Sequence, residues 1–202
     1  MLRRMRIAML LAAAALAASP ARAADPPLTL ESLMAALARN GPGTVRFTET
    51  KTSALLKAPI ESSGTLTYAA PAKLEKRTLA PRDERFAVDG DTVVVESAAR
   101  NAAEKRRFEL RLGDYPAIRA FVESIRGTLA GDLASLRRHY RVELEGTWAD
   151  WRLHLLPSDP QTAELVLKVV IAGAGSEVRR IEILEAGGDR SVMTIAKPGA
   201  GG

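Results

Sequence analysis

The chain has 202 residues, with 29 Lys+Arg against 24 Asp+Glu, two His and no Cys. At 47% apolar and 26% charged residues it can bury a core within one large domain, which excludes a disordered chain or a fibrous repeat. The lack of cysteine excludes disulfides, zinc–thiolate sites, a thiol nucleophile and a lipidated cysteine.

The formal charge of +5 resembles that of a nucleic-acid binder, but the excess is concentrated at the N-terminus. Arg3, Arg4 and Arg6 precede the apolar run from Ile7 to Ala18, which Ser19-Pro20 interrupts before Ala21-Arg22-Ala23. The run is shorter than the ~20 residues needed to span a bilayer, and the small-x-small triplet follows it at cleavage distance. Residues 1–23 therefore read as a secretory signal peptide cut after Ala23 or Ala24, leaving one domain over 24–202. Removing Arg3, Arg4, Arg6 and Arg22 leaves 25 basic residues against 24 acidic ones, a charge of +1. Nucleic acid is not expected as a partner, and an exported chain of this kind is expected in the periplasm as a monomer.

Downstream, Thr29 is a good N-cap. Leu30, Leu33, Met34 and Leu37 fall at helical spacing until Asn40-Gly41-Pro42-Gly43 ends the helix. Strand alternation follows over 44–53, 64–69, 73–79, 85–89, 92–97 and 106–112, with Pro81-Arg82-Asp83 and Asp89-Gly90-Asp91 as turns. Pro116 opens a helix whose stripe is Ile118, Phe121, Val122 and Ile125, and Gly127 is expected to stop it. Leu129, Leu133, Leu136 and Tyr140 predict a second helix capped by Asp132. Strands return over 151–155, 165–171, 178–184 and 191–196.

The order is helix, about six strands, two helices, about four strands, with no βαβ alternation. It predicts an α+β fold: one curled antiparallel sheet of about 10–11 strands forming an unclosed β-barrel covered by short helices.

Catalytic patterns are missing. His139 and His154 are isolated and read as solvated, and no nucleophile elbow, zincin motif or phosphate loop is present. Asp89-Gly90-Asp91 lacks the other ligands of a calcium loop. Gly173-Ala174-Gly175-Ser176 lies between strands and reads as a turn. Lys105-Arg106-Arg107 and Arg179-Arg180 have acidic neighbours in Glu109 and Glu182, and aromatics make up only 4% of the chain, too few for base stacking. The expectation is no enzyme activity, no metal and no cofactor. What remains is an apolar inner surface: Val45, Phe47, Leu66, Tyr68, Leu74, Phe86, Val88, Phe108, Leu110, Trp151 and Leu153, with Ile118, Phe121, Val122 and Ile125 from the helix. These residues pack either as a filled core or, because a wide curled sheet cannot easily fill its own concavity, as the lining of a pocket for acyl chains.

Several segments resemble the LolA family of periplasmic lipoprotein carriers, especially a LolA-related branch. They are the N-terminal amphipathic helix, Phe47-Thr48-Glu49-Thr50, the stretch from Gly64 to Leu74 with its Gly-x-Leu and Pro71, and Val88-Asp89-Gly90. The segment from Phe121 to Gly146 and Gly188-Asp189-Arg190-Ser191 complete the set. The resemblance implies an unclosed barrel with a helical lid. It also implies a cavity that takes acyl chains of a lipoprotein or lipid from an inner-membrane exporter and delivers them to an outer-membrane acceptor. A diffusing carrier fits a chain without cysteine better than an anchored acceptor does. Two positions depart from the family pattern. The arginine that precedes the proline in the main branch, and that is implied to hold the lid, is Ala70 here. Lys76 replaces an aromatic and is expected as a positive charge at the cavity edge, suited to an anionic head. The alternatives are a carrier of a non-lipoprotein acyl product, such as a polyene or glycolipid, or a filled barrel serving as an interaction module.

Overall fold

A computed structural model describes residues 27–69, 72–98 and 105–196. The signal-peptide segment and Ala70 lie outside these residues. Helix α1 (Leu30–Leu37) starts where Thr29 and Ser32 exchange the reciprocal bonds of a capping box, and it buries Leu33, Met34, Ala36 and Leu37. Strands β1 (Gly43–Thr52), β2 (Ile60–Ala69), β3 (Lys73–Ala80), β4 (Glu84–Asp89), β5 (Thr92–Ala98) and β6 (Lys105–Arg111) then run as an antiparallel meander. Helices α2 (Pro116–Ala130) and α3 (Leu133–His139) carry the chain to β7 (Tyr140–Thr147) and β8 (Asp150–Pro157). A short helix α4 (Pro160–Ala163) leads to β9 (Val166–Ala174), β10 (Glu177–Glu185) and β11 (Arg190–Ile195).

The last strand pairs with the first, Phe47 opposite Ile195, joining the two meanders into one eleven-stranded sheet with the order β6-β5-β4-β3-β2-β1-β11-β10-β9-β8-β7. Strands β6 and β7 remain as edges, so the sheet is not closed. The expected unclosed barrel covered by short helices is therefore what forms. One face is apolar. The other carries cross-strand ion pairs, such as Glu75–Arg85 at 2.9 Å, Arg85–Glu96 at 3.4 Å and Glu96–Arg107 at 3.1 Å across β3 to β6. Of the basic run the sequence singled out, Arg107 lies exposed on this ion-paired face.

Three local expectations need correction. Helix α2 does not stop at Gly127 but continues to Ala130 and ends at Gly131, whose φ of 67° suits the left-handed C-cap. Gly127 instead serves packing: a Cβ there would lie 2.9 Å from Leu136 Cδ2 of α3. Tyr140 is not the end of a helical stripe but the first residue of β7, a strand the helical spacing concealed. Strand β2 also begins four residues before Gly64, at Ile60. Pro116 opens α2 as its first residue, and Asp132, which accepts from the Ser135 backbone at 2.9 Å, caps α3, as the sequence predicts.

Candidate ligand cavity

Alternation places the odd residues of β1 and the even residues of β2 and β3 on the concave face, with Val45 opposite Leu66 and Tyr68 opposite Leu74. Across the β1–β11 junction, Ile195, Ile181 and Ile171 continue the same face. The C-terminal half of α2 lies over these strands. Between them is a cavity of about 400 Å³, lined by Val45, Leu66, Tyr68, Leu74, Ile171, Val178, Ile181 and Ile195 from the sheet and by Ile125, Thr128 and Leu129 from α2. Asn40, Gly41, Ser176 and Glu177 contribute a polar side, where Asn40 Nδ2 donates to the Ser176 carbonyl at 2.6 Å and ties the end of α1 to the β9–β10 turn. The volume lies near the lower end of the ~300–1,000 Å³ range of small-molecule sites.

Of the residues singled out from the sequence, the structure brings Val45, Leu66, Tyr68, Leu74 and Ile125 together around this cavity. Phe47, Val88, Val122, Trp151 and Leu153 are instead packed in the core. Trp151 shows why. It stands opposite Gly173, where a Cβ would lie 2.5 Å from Trp151 Cζ2, and its indole N–H donates to the Gly175 carbonyl at 2.9 Å. With Leu153, Leu155 and Val169 it fills the concave side of β8 and β9. Phe86, Leu110 and Ile118 pack at the margin of the core, and Phe121 is half-buried on α2. Phe108 is 61% exposed, because β6 is an edge strand with no neighbour beyond it.

Lys76 is not a free cation at the cavity edge. It reaches across β2 to the Glu49 carboxylate, and its ammonium stands 5.2 Å from the centre of the Phe47 ring. Ser191 and Ser62 also donate to Glu49. Burial pushes the Glu49 carboxyl up, but the Lys76 charge and these hydrogen bonds outweigh it and hold the group below its ordinary value. Lys76 thus belongs to a satisfied polar cluster beyond Phe47, away from the cavity lining.

Sequence reasoning missed Ile171, Val178, Ile181, Ile195 and Leu129. The alternation of β9, β10 and β11 could have marked the isoleucines as inward-facing. It could not place them beside Val45, because that depends on the β1–β11 pairing.

Two further groups stand out near the cavity. The Tyr68 hydroxyl and the Arg126 Nε are both buried and have no hydrogen-bond partner. Burial pushes the Tyr68 hydroxyl up, opposed by the nearby Arg126 charge. Among the described residues no group of three or more His, Asp or Glu is gathered to hold a metal.

Residues 17–200 match the protein family described as "Outer membrane lipoprotein carrier protein LolA-like". No curated protein sequence matches the chain. Among solved structures it is similar to a LolA superfamily protein from Nitrosomonas europaea, at 12% identity over 84% of this chain and 92% of that one, with a TM-score of 0.43. A DUF1329 family protein from Desulfovibrio piger is similar at 10% identity over 83% and 89%, with a TM-score of 0.35. A chain of the Pseudomonas aeruginosa MucA/MucB complex is similar at 12% identity over 85% and 59%, with a TM-score of 0.40. The family match spans nearly the whole sequence, and the chain belongs to the outer membrane lipoprotein carrier protein LolA-like family.

Proposed function

We propose that this protein is a periplasmic carrier, not an enzyme, that buries acyl chains of a lipoprotein or lipid in the cavity under α2 and moves them from the inner towards the outer membrane. The observation that carries this reading is the cavity itself: an apolar space of about 400 Å³ left between α2 and the concave face while β8 and β9 are filled. Each buried methylene contributes about 0.8 kcal/mol to retention. Delivery then requires a partner that binds the loaded and empty states differently, which is the role for an inner-membrane exporter and an outer-membrane acceptor. Among the described residues no helix is long and apolar enough to cross a membrane. The charge left after removal of 1–23 gives no basis for nucleic-acid binding.

The test is native mass spectrometry of the protein purified from its own periplasm, followed by solvent extraction and by titration with a fluorescent fatty acid. A bound acyl species, together with at least tenfold weaker probe binding in Ile181→Trp, supports the carrier. An empty protein that takes up no probe favours the interaction module, which would use the exposed β6 edge around Phe108.

A further inference from the structure

The carrier reading leaves open how many acyl chains the protein holds, and the way the concave face is divided bears on that question. Around the cavity of about 400 Å³ the same face is filled on three sides. Towards β8 and β9, Trp151, Leu153 and Val169 are fully buried. Towards β4 and β5, Val88 and Val93 are buried in the core. Along β1, Val45 lines the cavity, but the next residue on that face, Phe47, is buried, and beyond it Glu49 and Lys76 close their ion pair. The cavity opens at the other end of β1, where Asn40, Gly41 and Glu177 both line it and are exposed.

The roof is held as firmly as the walls. At Gly127 of α2 a Cβ would lie 2.9 Å from Leu136 Cδ2 of α3, and at Gly131 it would lie 2.2 Å from the Met34 carbonyl oxygen of α1. Between them, Arg126 Nη1 donates to the Gly90 carbonyl of the β4–β5 turn at 3.1 Å. A space bounded in this way has a fixed capacity. A methylene takes up about as much room as a water molecule in the liquid, roughly 30 Å³, so about thirteen chain carbons fill it. That is one acyl chain. A second would have to displace side chains already packed at crystal density.

The polar groups of the lining fix which end of that chain enters. Thr128 is bonded to the Ser124 carbonyl at 2.7 Å, and Thr67 shares a hydrogen bond with Thr44 at 2.9 Å. Among the described residues the one charged group in the lining is Glu177, at the mouth and paired with Arg179 at 3.2 Å. A charged head carried inward would lose its hydration with no opposite charge to replace it.

Resting on the carrier reading, we infer that the cavity is a one-chain site. It takes a single acyl chain of about thirteen carbons, tail first through the mouth between Gly41 and Glu177, and leaves the head in water. The ligand class is a monoacyl lipid, and a second or third chain on the same head finds no place in the protein.

The experiment is displacement of the fluorescent fatty acid from the full mature chain by two series of ligands, each kept below its micelle concentration. The first is saturated fatty acids of 8 to 18 carbons. Affinity is expected to rise about fourfold per methylene up to about 12–14 carbons and to stay flat beyond. The second is one lysine-rich peptide bearing one, two or three lauroyl chains, whose affinities are expected to agree within about threefold. Val45→Phe, which adds bulk to the cavity wall, is expected to bring the plateau at least about two carbons shorter. An affinity that climbs steadily to 18 carbons, a tenfold or larger gain from the second lauroyl chain, or a plateau unmoved in a folded Val45→Phe overturns the inference and leaves the carrier reading standing. If neither series nor the probe binds, both fail together.

Discussion

Glu49 and Lys76 meet on the concave face across an intervening strand, with Gly64 of β2 lying between them. Gly64 faces Phe47 on one side and Thr78 on the other, beside a register shift in the β2–β3 ladder. A Cβ at Gly64 would lie 1.9 Å from the Arg77 carbonyl oxygen. The glycine admits the β3 backbone at this shift, and the lysine extends over the Phe47 ring to the carboxylate. The side chains of Glu49 and Lys76 are only 13% and 30% exposed, so each depends on the other for solvation. Glu49→Ala, which strands Lys76 and two serines, is expected to lower stability by about 1–3 kcal/mol. Lys76→Met is expected to have less effect, because Ser62 and Ser191 still serve the carboxylate. Denaturant unfolding of the singles and the double gives the coupling between them. A coupling near zero would show that the pair is not formed in solution.

The same carboxylate sets a pH dependence. The ordinary value of Glu49 is 4.5 and its folded value is lower. As pH falls, the unfolded chain takes up the proton first, so the stabilisation is complete above about 4.5 and is lost as pH drops through the folded value. Asp132 and Asp159, held low by bonds from Ser135 and Thr162 at their helix N-termini, act in the same direction at still lower pH. Wild type is expected to lose stability steeply below pH 4.5, and Glu49→Gln to show a shallower acid limb. Parallel limbs in the two proteins would remove Glu49 as the cause.

Phe108 lies on the apolar side of the sheet but outside the cavity. It shares a row with Val95 and Phe86, yet its edge position leaves it exposed. Phe108→Ser is expected to change stability by no more than about 0.5 kcal/mol and to leave fatty-acid binding unaltered. A severalfold loss of affinity would instead bring the ligand to the β6 edge.

These cases show what sequence could and could not convey. Period-two alternation found ten of the eleven strands, and the caps at Thr29 and Asp132, with Pro116 as a first helical residue, placed three helix starts. Both signals are local. Strand β7 escaped because Leu133, Leu136 and Tyr140 are spaced like a helical face. The cavity was half legible: Val45, Leu66, Tyr68, Leu74 and Ile125 carry the right periodicity, but so do Trp151 and Leu153, which fill space instead. What separates the two groups is long-range. Trp151 packs because Gly173 lies opposite it, and Lys76 is neutralised because Glu49 stands two strands away. Pairings of that kind arise from register, which no single segment encodes.

The end of α2 meets the end of α1 at Gly131, and a second glycine offers a control. Gly131 and Gly175 both adopt positive φ, 67° and 55°. Around Gly175 nothing lies within 4 Å of a built Cβ. At Gly131 the same atom would lie 2.2 Å from the Met34 carbonyl oxygen and 2.8 Å from the Ala38 Cβ, because the end of α2 is pressed against the end of α1. Gly175→Ala therefore carries only the left-handed backbone term of about 1–2 kcal/mol. Gly131→Ala carries that term and also forces α1 and α2 apart, so its loss of stability is expected to exceed that of Gly175→Ala by 1 kcal/mol or more. Since Leu129 and Ile125 lie on the last turns of α2 and line the cavity, the shift should also reach the ligand. Probe affinity is expected to fall in Gly131→Ala and to hold in Gly175→Ala. Equal unfolding midpoints for the two variants would mean that α1 and α2 are not in firm contact at Gly131, and that the cavity roof is held elsewhere.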